Sequence, residues 1–390
     1  MYLTREEERT LNGENGWANQ TCIRILVRLG ELFHAEKLIP ITSAHVSGIS
    51  YKTLGDAPIE YLKALADADA KVKVKTTLNP QSFDSTYLTG KLPNDLKQKQ
   101  LEILRQFNRM GLTRSLTCTP YYLSKPKQGS HMAWAESSAV VYSNSVFGAW
   151  TNREGGPSAL AAAIIGKTPE YGIHKPENRQ PNIQVNLRVK LQNETDFGIL
   201  GIHLGKLLRD KIPTINELQE APRDNLKQLS AAIATTGMTN MFHFTPTSER
   251  KKIEKLHVEL KDLKHTKEEL STASDRKPDL VFLGCPHCSV NEMRKIAQSV
   301  RGKQVKHGIE FWVCTSCHVR EKTQDCAEEI ERSGGHVLTG VCTVVSWTEK
   351  LGIKTIMTNS AKTAYYAPTL SKAEVILAPT RECLKTAVEG

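Results

Sequence analysis

Along most of this chain, short apolar and β-branched runs that break into small polar residues alternate with longer stretches of helical periodicity. "KLIPITSAHVSGISY" (37–51), "AKVKVKTTLNPQS" (70–82) and "RSLTCTPYYLS" (114–124) each read as a strand ending in glycine, proline or small polar residues. Between them, "APIEYLKALADADA" (57–70) and "DLKQKQLEILRQFNRMG" (95–111) place apolar residues at helical spacing. A second series runs through "DLVFLG" (279–284), "IEFWVCTS" (309–316), "HVLTGVCTVV" (336–345), "KTIMTNS" (354–360) and "VILAPT" (375–380). From 213 to about 275 the beat is lost, and "ERKKIEKLHVELKDLKHTKEELS" (249–271) predicts one long charged amphipathic helix. The expected architecture is α/β with mostly parallel sheets. Residues 1–212 would form an N-terminal α/β region, and 213–390 a helical connector followed by a second α/β region.

Open α/β sheets bind ligands beyond the carboxyl ends of their strands. Cys118, Cys285, Cys314, Cys317, Cys342 and Ser360 all fall at such ends, so thiols distant in sequence can converge on one edge.

Length and composition narrow the class. The 390 residues, 39% hydrophobic and 24% charged, suit two or three folded domains. No apolar run approaches the roughly 18 residues of a membrane helix, and "MYLTREEERT" is charged where a secretory signal turns apolar. A cytoplasmic protein with no membrane contact is expected. The net charge of +10 suits an anionic partner or substrate. Runs such as "SERKKIEK" (248–255) are followed closely by acids and lack interleaved aromatics, so nucleic acid is not the expected partner.

Nine cysteines, an odd number on a long chain, argue against a disulfide framework and for metal binding or catalysis by some of them. Two Cys-x-x-Cys pairs, Cys285/Cys288 and Cys314/Cys317, would suit zinc. Residues 289–313 between them exceed the roughly 15–20 typical of zinc ribbons, and each pair joins a strand to a helix rather than forming a small knuckle. A thioredoxin-like dithiol fits "CPHC" locally, and iron–sulfur ligation by thiolates from separate loops fits the distribution along the chain. Cys22, Cys326 and Cys383 sit on helical patterns and read as buried thiols. "GKT" (166–168) follows a helical run and lacks the first P-loop glycine, since residue 161 is alanine; Gly166 reads as a helix C-cap.

Eight ordered stretches together resemble the aconitase X family: "SAHVSGISYKTLGDA" (43–57), "TTLNP" (76–80), "TCTPYY" (117–122), "AWAESSAVVYSNSVFGA" (133–149), "TNREGGPSALAAAIIGKTPEYG" (151–172), "GCPHCS" (284–289), "GVCTVV" (340–345) and "TNSAKTAYYAP" (358–368). Two positions depart from the family pattern, Trp150 for arginine and Ala361 for glycine, leaving Arg153 to make any guanidinium contact there. The resemblance implies an aconitase-like, multi-domain iron–sulfur hydro-lyase. Its sheets would surround a central cluster, of the 4Fe–4S type in its active form, held by Cys118, Cys285 and Cys342. It also implies a fourth, swivelling domain carried by a separate small subunit that supplies a catalytic serine. By length and by its "GCPHCS" cysteine, the chain is similar to family members that dehydrate (R)-5-phosphomevalonate to trans-anhydromevalonate 5-phosphate in a modified mevalonate route to isoprenoids. Relatives acting on cis-3-hydroxy-L-proline are the alternative, and a zinc-stabilised binding module is the reading from another class. By motif, Glu136 and Ser137 would be catalytic, and Gly48, Ile49, Ser50, Asn79 and Lys362 would bind a small anionic substrate. Glu136 and His287 are candidates for base or for orienting neighbours.

Overall fold

The computed structural model describes residues 1–84, 86–112, 115–244, 253–273 and 276–389. Its largest sheet has five parallel strands in the order His336–Thr339, Glu310–Thr315, Leu280–Leu283, Thr355–Thr358, Glu374–Leu377. The central strand, Leu-Val-Phe-Leu, is buried at every position, as expected for a parallel strand covered on both faces. Ser289 caps the following helix, Val290–Val300, by accepting from the Glu292 N–H at 3.1 Å while the Glu292 carboxylate accepts from the Ser289 N–H at 2.7 Å.

The N-terminal sheet is also parallel, in the order Lys75–Leu78, Ser43–Val46, Ala133–Trp134. Against it lies the helix Gly156–Ile165, whose Ala-Leu-Ala-Ala-Ala-Ile-Ile run is buried all round, as suits a core helix. Gly166 ends that helix in the left-handed conformation, φ 79°.

A third parallel sheet joins Pro213–Thr214, Ile183–Leu187 and Glu254–Val258. It crosses residue 212, where the sequence pattern placed its division. The single helix expected over 249–271 is corrected: 254–258 is a strand in register with 183–187, and only Leu260–Leu270 is helical. Leu256 and Val258 alternate with Lys255 and His257, a two-residue period that the helical spacing of Leu256, Leu260 and Leu263 had masked. Residues 249–252 of that stretch, and 248–252 of the basic run, lie outside the described residues. The strand expected over 114–124 is corrected as well. Within its described part, Leu116 forms one isolated bridge to Leu78, and a 3-10 turn starts at Pro120, which has no N–H to continue a ladder. The 336–345 strand stops at Thr339, before left-handed Gly340.

The five-stranded sheet and the N-terminal sheet meet edge to edge near their carboxyl ends. Gln81, just past the Lys75–Leu78 strand, bridges to Val341: its N–H donates to Gly340 O at 2.9 Å, and its carbonyl accepts from the Cys342 N–H at 3.2 Å. The Thr117 N–H donates to Leu78 O at 2.8 Å. These bonds bring the loops carrying Cys118 and Cys342 beside Asn79.

Candidate active site

The carboxyl ends of these two sheets enclose a cavity of about 290 Å³. Gly48, Ile49 and Ser50 follow the Ser43–Val46 strand, Asn79 follows Lys75–Leu78, and Glu136 and Ser137 follow Ala133–Trp134; all line it. From other loops come Cys118, Cys285, Cys342 and Lys362, so these ten residues reach one space, while the candidates His287 and Arg153 do not line it. Thr53, Tyr366 and Leu370 line it too without having been singled out as site residues, although Tyr366 lies inside the "TNSAKTAYYAP" stretch.

Glu136 and Lys362 form the electrostatic centre, 2.7 Å apart. The other Glu136 oxygen accepts from Asn79 Nδ2 at 2.8 Å, and Ser138 Oγ donates to Oε1 at 2.6 Å. Burial opposes ionisation of Glu136, but the Lys362 ammonium and these donors outweigh it and hold the carboxyl at about 2. Burial likewise opposes the charge on Lys362, and Glu136 with the nearby thiols Cys285 and Cys118 raises it above its ordinary range. Glu136 is therefore held ionised as an acceptor from Lys362, Ser138 and Asn79. His45 holds Asn79 from behind, with Nδ1 at 2.7 Å from Thr77 Oγ1 and Nε2 at 3.3 Å from Asn79 Oδ1.

In the "VSGIS" loop, Gly48 has φ 74°, which L side chains rarely adopt. Gln100, a buried amide on the helix Asn94–Arg109, accepts from the Tyr51 N–H at 3.0 Å and donates to Ile49 O at 2.9 Å. The Ser50 hydroxyl is engaged with Ser82 Oγ at 2.5 Å and Val345 O at 3.0 Å, tying this loop to the one after Cys342. Gln100 and Ser82 were missed in the sequence; the signal was a glutamine on the apolar face of an amphipathic helix.

His287 joins the three cysteine loops without lining the cavity. Its N–H donates to Cys118 Sγ at 3.2 Å, Nε2 lies 2.8 Å from Val341 O, and Nδ1 lies 3.3 Å from Thr117 Oγ1. Since Val341 O can only accept, Nε2 carries the proton and Nδ1 accepts from Thr117. Burial pulls this histidine down to about 4, so the ring is neutral with both nitrogens engaged. Of the two roles open to it, orientation is the one that its contacts serve. Lys227, fully buried on the helix Arg223–Thr236, donates to His287 O at 3.0 Å and pairs with Glu292.

Among the described residues no group of three or more His, Cys, Asp or Glu is arranged to hold a metal ion. The paired motifs do not form a zinc site: Cys317 is exposed, Cys314 is buried in its strand, and Cys288 joins an apolar cluster behind the cavity. Cys118, Cys285 and Cys342 are free thiols that surround the cavity from three loops. Burial raises the Cys118 thiol well above its ordinary range and pushes Cys342 up to about 12. A cation in the space they surround would favour the thiolate forms of Cys118 and Cys342. Three separated thiols around a cavity of this size fit a polynuclear iron–sulfur group better than one ion. Trp150 lies outside the cavity lining, its ring 5.4 Å from that of His131 and 4.5 Å under the Arg179 guanidinium. The Arg153 guanidinium donates to Gly237 O at 2.9 Å and Thr239 O at 3.2 Å, and its Nε is buried without a hydrogen-bond partner among the described residues. Ala361 is buried against Gly198.

Thiols and an ion pair gathered in one cavity at the joined edges of parallel sheets are an enzyme-like site, and comparison with known proteins gives the family. Residues 1–177, 181–268 and 278–389 match the family models of the aconitase X first, second and third domains; the chain belongs to the aconitase X family. It is 43% identical to the phosphomevalonate dehydratase large subunit of Methanocaldococcus jannaschii, over 99% of this chain and 100% of that one. Identity to the cis-3-hydroxy-L-proline dehydratase of Hypocrea jecorina is 32%, over 100% of this chain and 69% of that protein. The crystal structure of holo-form Thermococcus kodakaraensis aconitase X superposes with a TM-score of 0.92, at 41% identity over 99% of this chain and 100% of that chain.

Proposed function

We propose that this chain is the large subunit of a hydro-lyase that removes water from (R)-5-phosphomevalonate to give trans-anhydromevalonate 5-phosphate. The observation that carries the proposal is the single cavity in which three free thiols face the Lys362–Glu136 pair, in a chain 43% identical to a protein of that name. Cys118, Cys285 and Cys342 would hold an iron–sulfur cluster, which when bound supplies Lewis acidity for departure of the hydroxyl group.

The chain's own residues bind and orient. Lys362 carries three N–H donors, one of them given to Glu136, so the others are free for a carboxylate or phosphate. The Gly48–Ser50 backbone and the Ser137 N–H, in the first turn of the helix Ser137–Val146, offer further donors to an anion. Elimination breaks a C–H and a C–O bond, leaves their electrons in a new C=C bond and hydroxide, and needs a base for the proton. Neither Glu136 nor His287 is suited to be that base. The relatives are named large subunits, so we assign the base to a serine of a small partner subunit with a swivelling domain. Nine cysteines, all free, support assigning the complex to a reducing compartment such as the cytoplasm. Among the described residues no helix is long and apolar enough to cross a membrane.

The test is a substrate panel on the two-subunit complex reconstituted anaerobically. Iron, sulfide and dehydration of phosphomevalonate far above mevalonate are expected. Turnover of cis-3-hydroxy-L-proline alone, or equal turnover of phosphorylated and unphosphorylated mevalonate, would overturn the assignment. Stoichiometric zinc without iron would remove the cluster.

A further inference from the structure

A second cavity, of about 490 Å³, lies on the other side of the cysteine loops and shares no lining residue with the first. Its floor is aromatic. Tyr121 stacks on Tyr142 with ring centroids 4.5 Å apart and 30° between planes, Tyr122 meets Tyr121 edge-on at 4.8 Å, and Phe147 meets Tyr142 edge-on at 5.5 Å. Its rim is cationic. Lys125 Nζ lies 5.6 Å from the Phe147 ring centroid and the Arg223 guanidinium 6.0 Å from it, while Lys322 lines the cavity from the helix Cys317–Lys322.

Among the described residues, no carboxylate stands within ion-pair distance of Lys125, Arg223 or Lys322. Asp224, the one acid in the lining, is taken up as acceptor from Asn291 Nδ2 at 3.0 Å. Polar groups stand within the aromatic wall as well, namely the side chains of Ser289, Asn291 and Asp224.

We infer that this cavity binds a mononucleotide-class ligand, a planar heterocycle carrying phosphate. Tyr121 and Tyr142 are buried beneath the surface, and the half-buried Tyr122 and Phe147 rings offer the stacking surface for the heterocycle; unpaired cations beside the rings receive the phosphate, and the volume falls within the range of ligand pockets. The apolar wall is built mainly of aromatic rings rather than aliphatic side chains, which favours a planar heterocycle over a hydrocarbon chain.

The experiment is calorimetric titration of the holoenzyme with AMP, dimethylallyl diphosphate and inorganic phosphate. AMP is expected to bind below about 1 mM and at least about tenfold more tightly than either of the others. The exposed double charge reversal Lys125→Glu with Lys322→Glu, and separately Phe147→Ala, should each weaken AMP by about tenfold or more. Circular dichroism and melting of each variant should match the parent, so that loss of binding is not loss of fold. No AMP binding up to about 5 mM, binding that both variants leave unchanged, or equal affinity for inorganic phosphate would overturn the inference. Tighter binding of dimethylallyl diphosphate than AMP would overturn the heterocycle.

Discussion

Glu136 shows how a buried carboxylate and a buried ammonium set each other's charge. Its folded value of about 2 lies below the ordinary 4.5, so the stability it contributes is present above about pH 4.5 and lost as pH falls toward 2. Denaturant unfolding of the large subunit across this window should show a loss on the order of 3 kcal/mol. Glu136→Gln should flatten that dependence while lowering stability at neutral pH, because Lys362 is left buried without its counter-charge. An unchanged acid slope in the variant would exclude the pairing. The cysteines divide at the same scale. Cys118→Ser, Cys285→Ser or Cys342→Ser should abolish iron retention, whereas Cys288→Ser and Cys317→Ser, which do not line the cavity, should keep it. Iron and sulfide analysis after anaerobic reconstitution checks this.

At the scale of elements, the cavity depends on loops held at strand ends. Gly284 carries the turn from the Leu280–Leu283 strand to Cys285 at φ 111°, and a Cβ there would stand 2.2 Å from Cys314 O. The obstacle is backbone of the neighbouring strand, so Gly284→Ala should destabilise by about 3 kcal/mol or more, read as a large drop in melting temperature. His287 acts between elements. His287→Gln removes a ring bridging the Cys118 and Cys342 loops, and should cost about 1–3 kcal/mol and speed iron loss to a chelator. Unaltered chelation kinetics would count against the bridging role. The "GCPHCS" stretch was legible as chemistry, but its histidine's task was not, because Thr117 and Val341 are remote in sequence.

For the whole molecule, joining two parallel sheets through Gln81 and Val341 turns separate loop ends into one cavity. The base for proton abstraction is expected from a second subunit. The large subunit alone, loaded with iron and sulfide, should therefore bind phosphomevalonate yet turn it over at least about a hundredfold more slowly than the complex, in keeping with the 10²–10⁴-fold contribution of a positioned base. Full activity of the isolated large subunit would require a base within this chain.

Alternation of strand and helix, the buried Leu280–Leu283 run with Cys285 just past its end, and the C-cap at Gly166 were all written in the sequence, because period, glycine placement and side-chain chemistry are local properties. Tertiary structure alone decided that 254–258 joins a sheet begun at 183, that Arg153 serves a neighbouring loop, and that Glu136 is held ionised as a partner to Lys362. Those outcomes depend on charge and backbone groups brought together across more than 50 residues, where the energy of a contact exists only after the chain has closed around it.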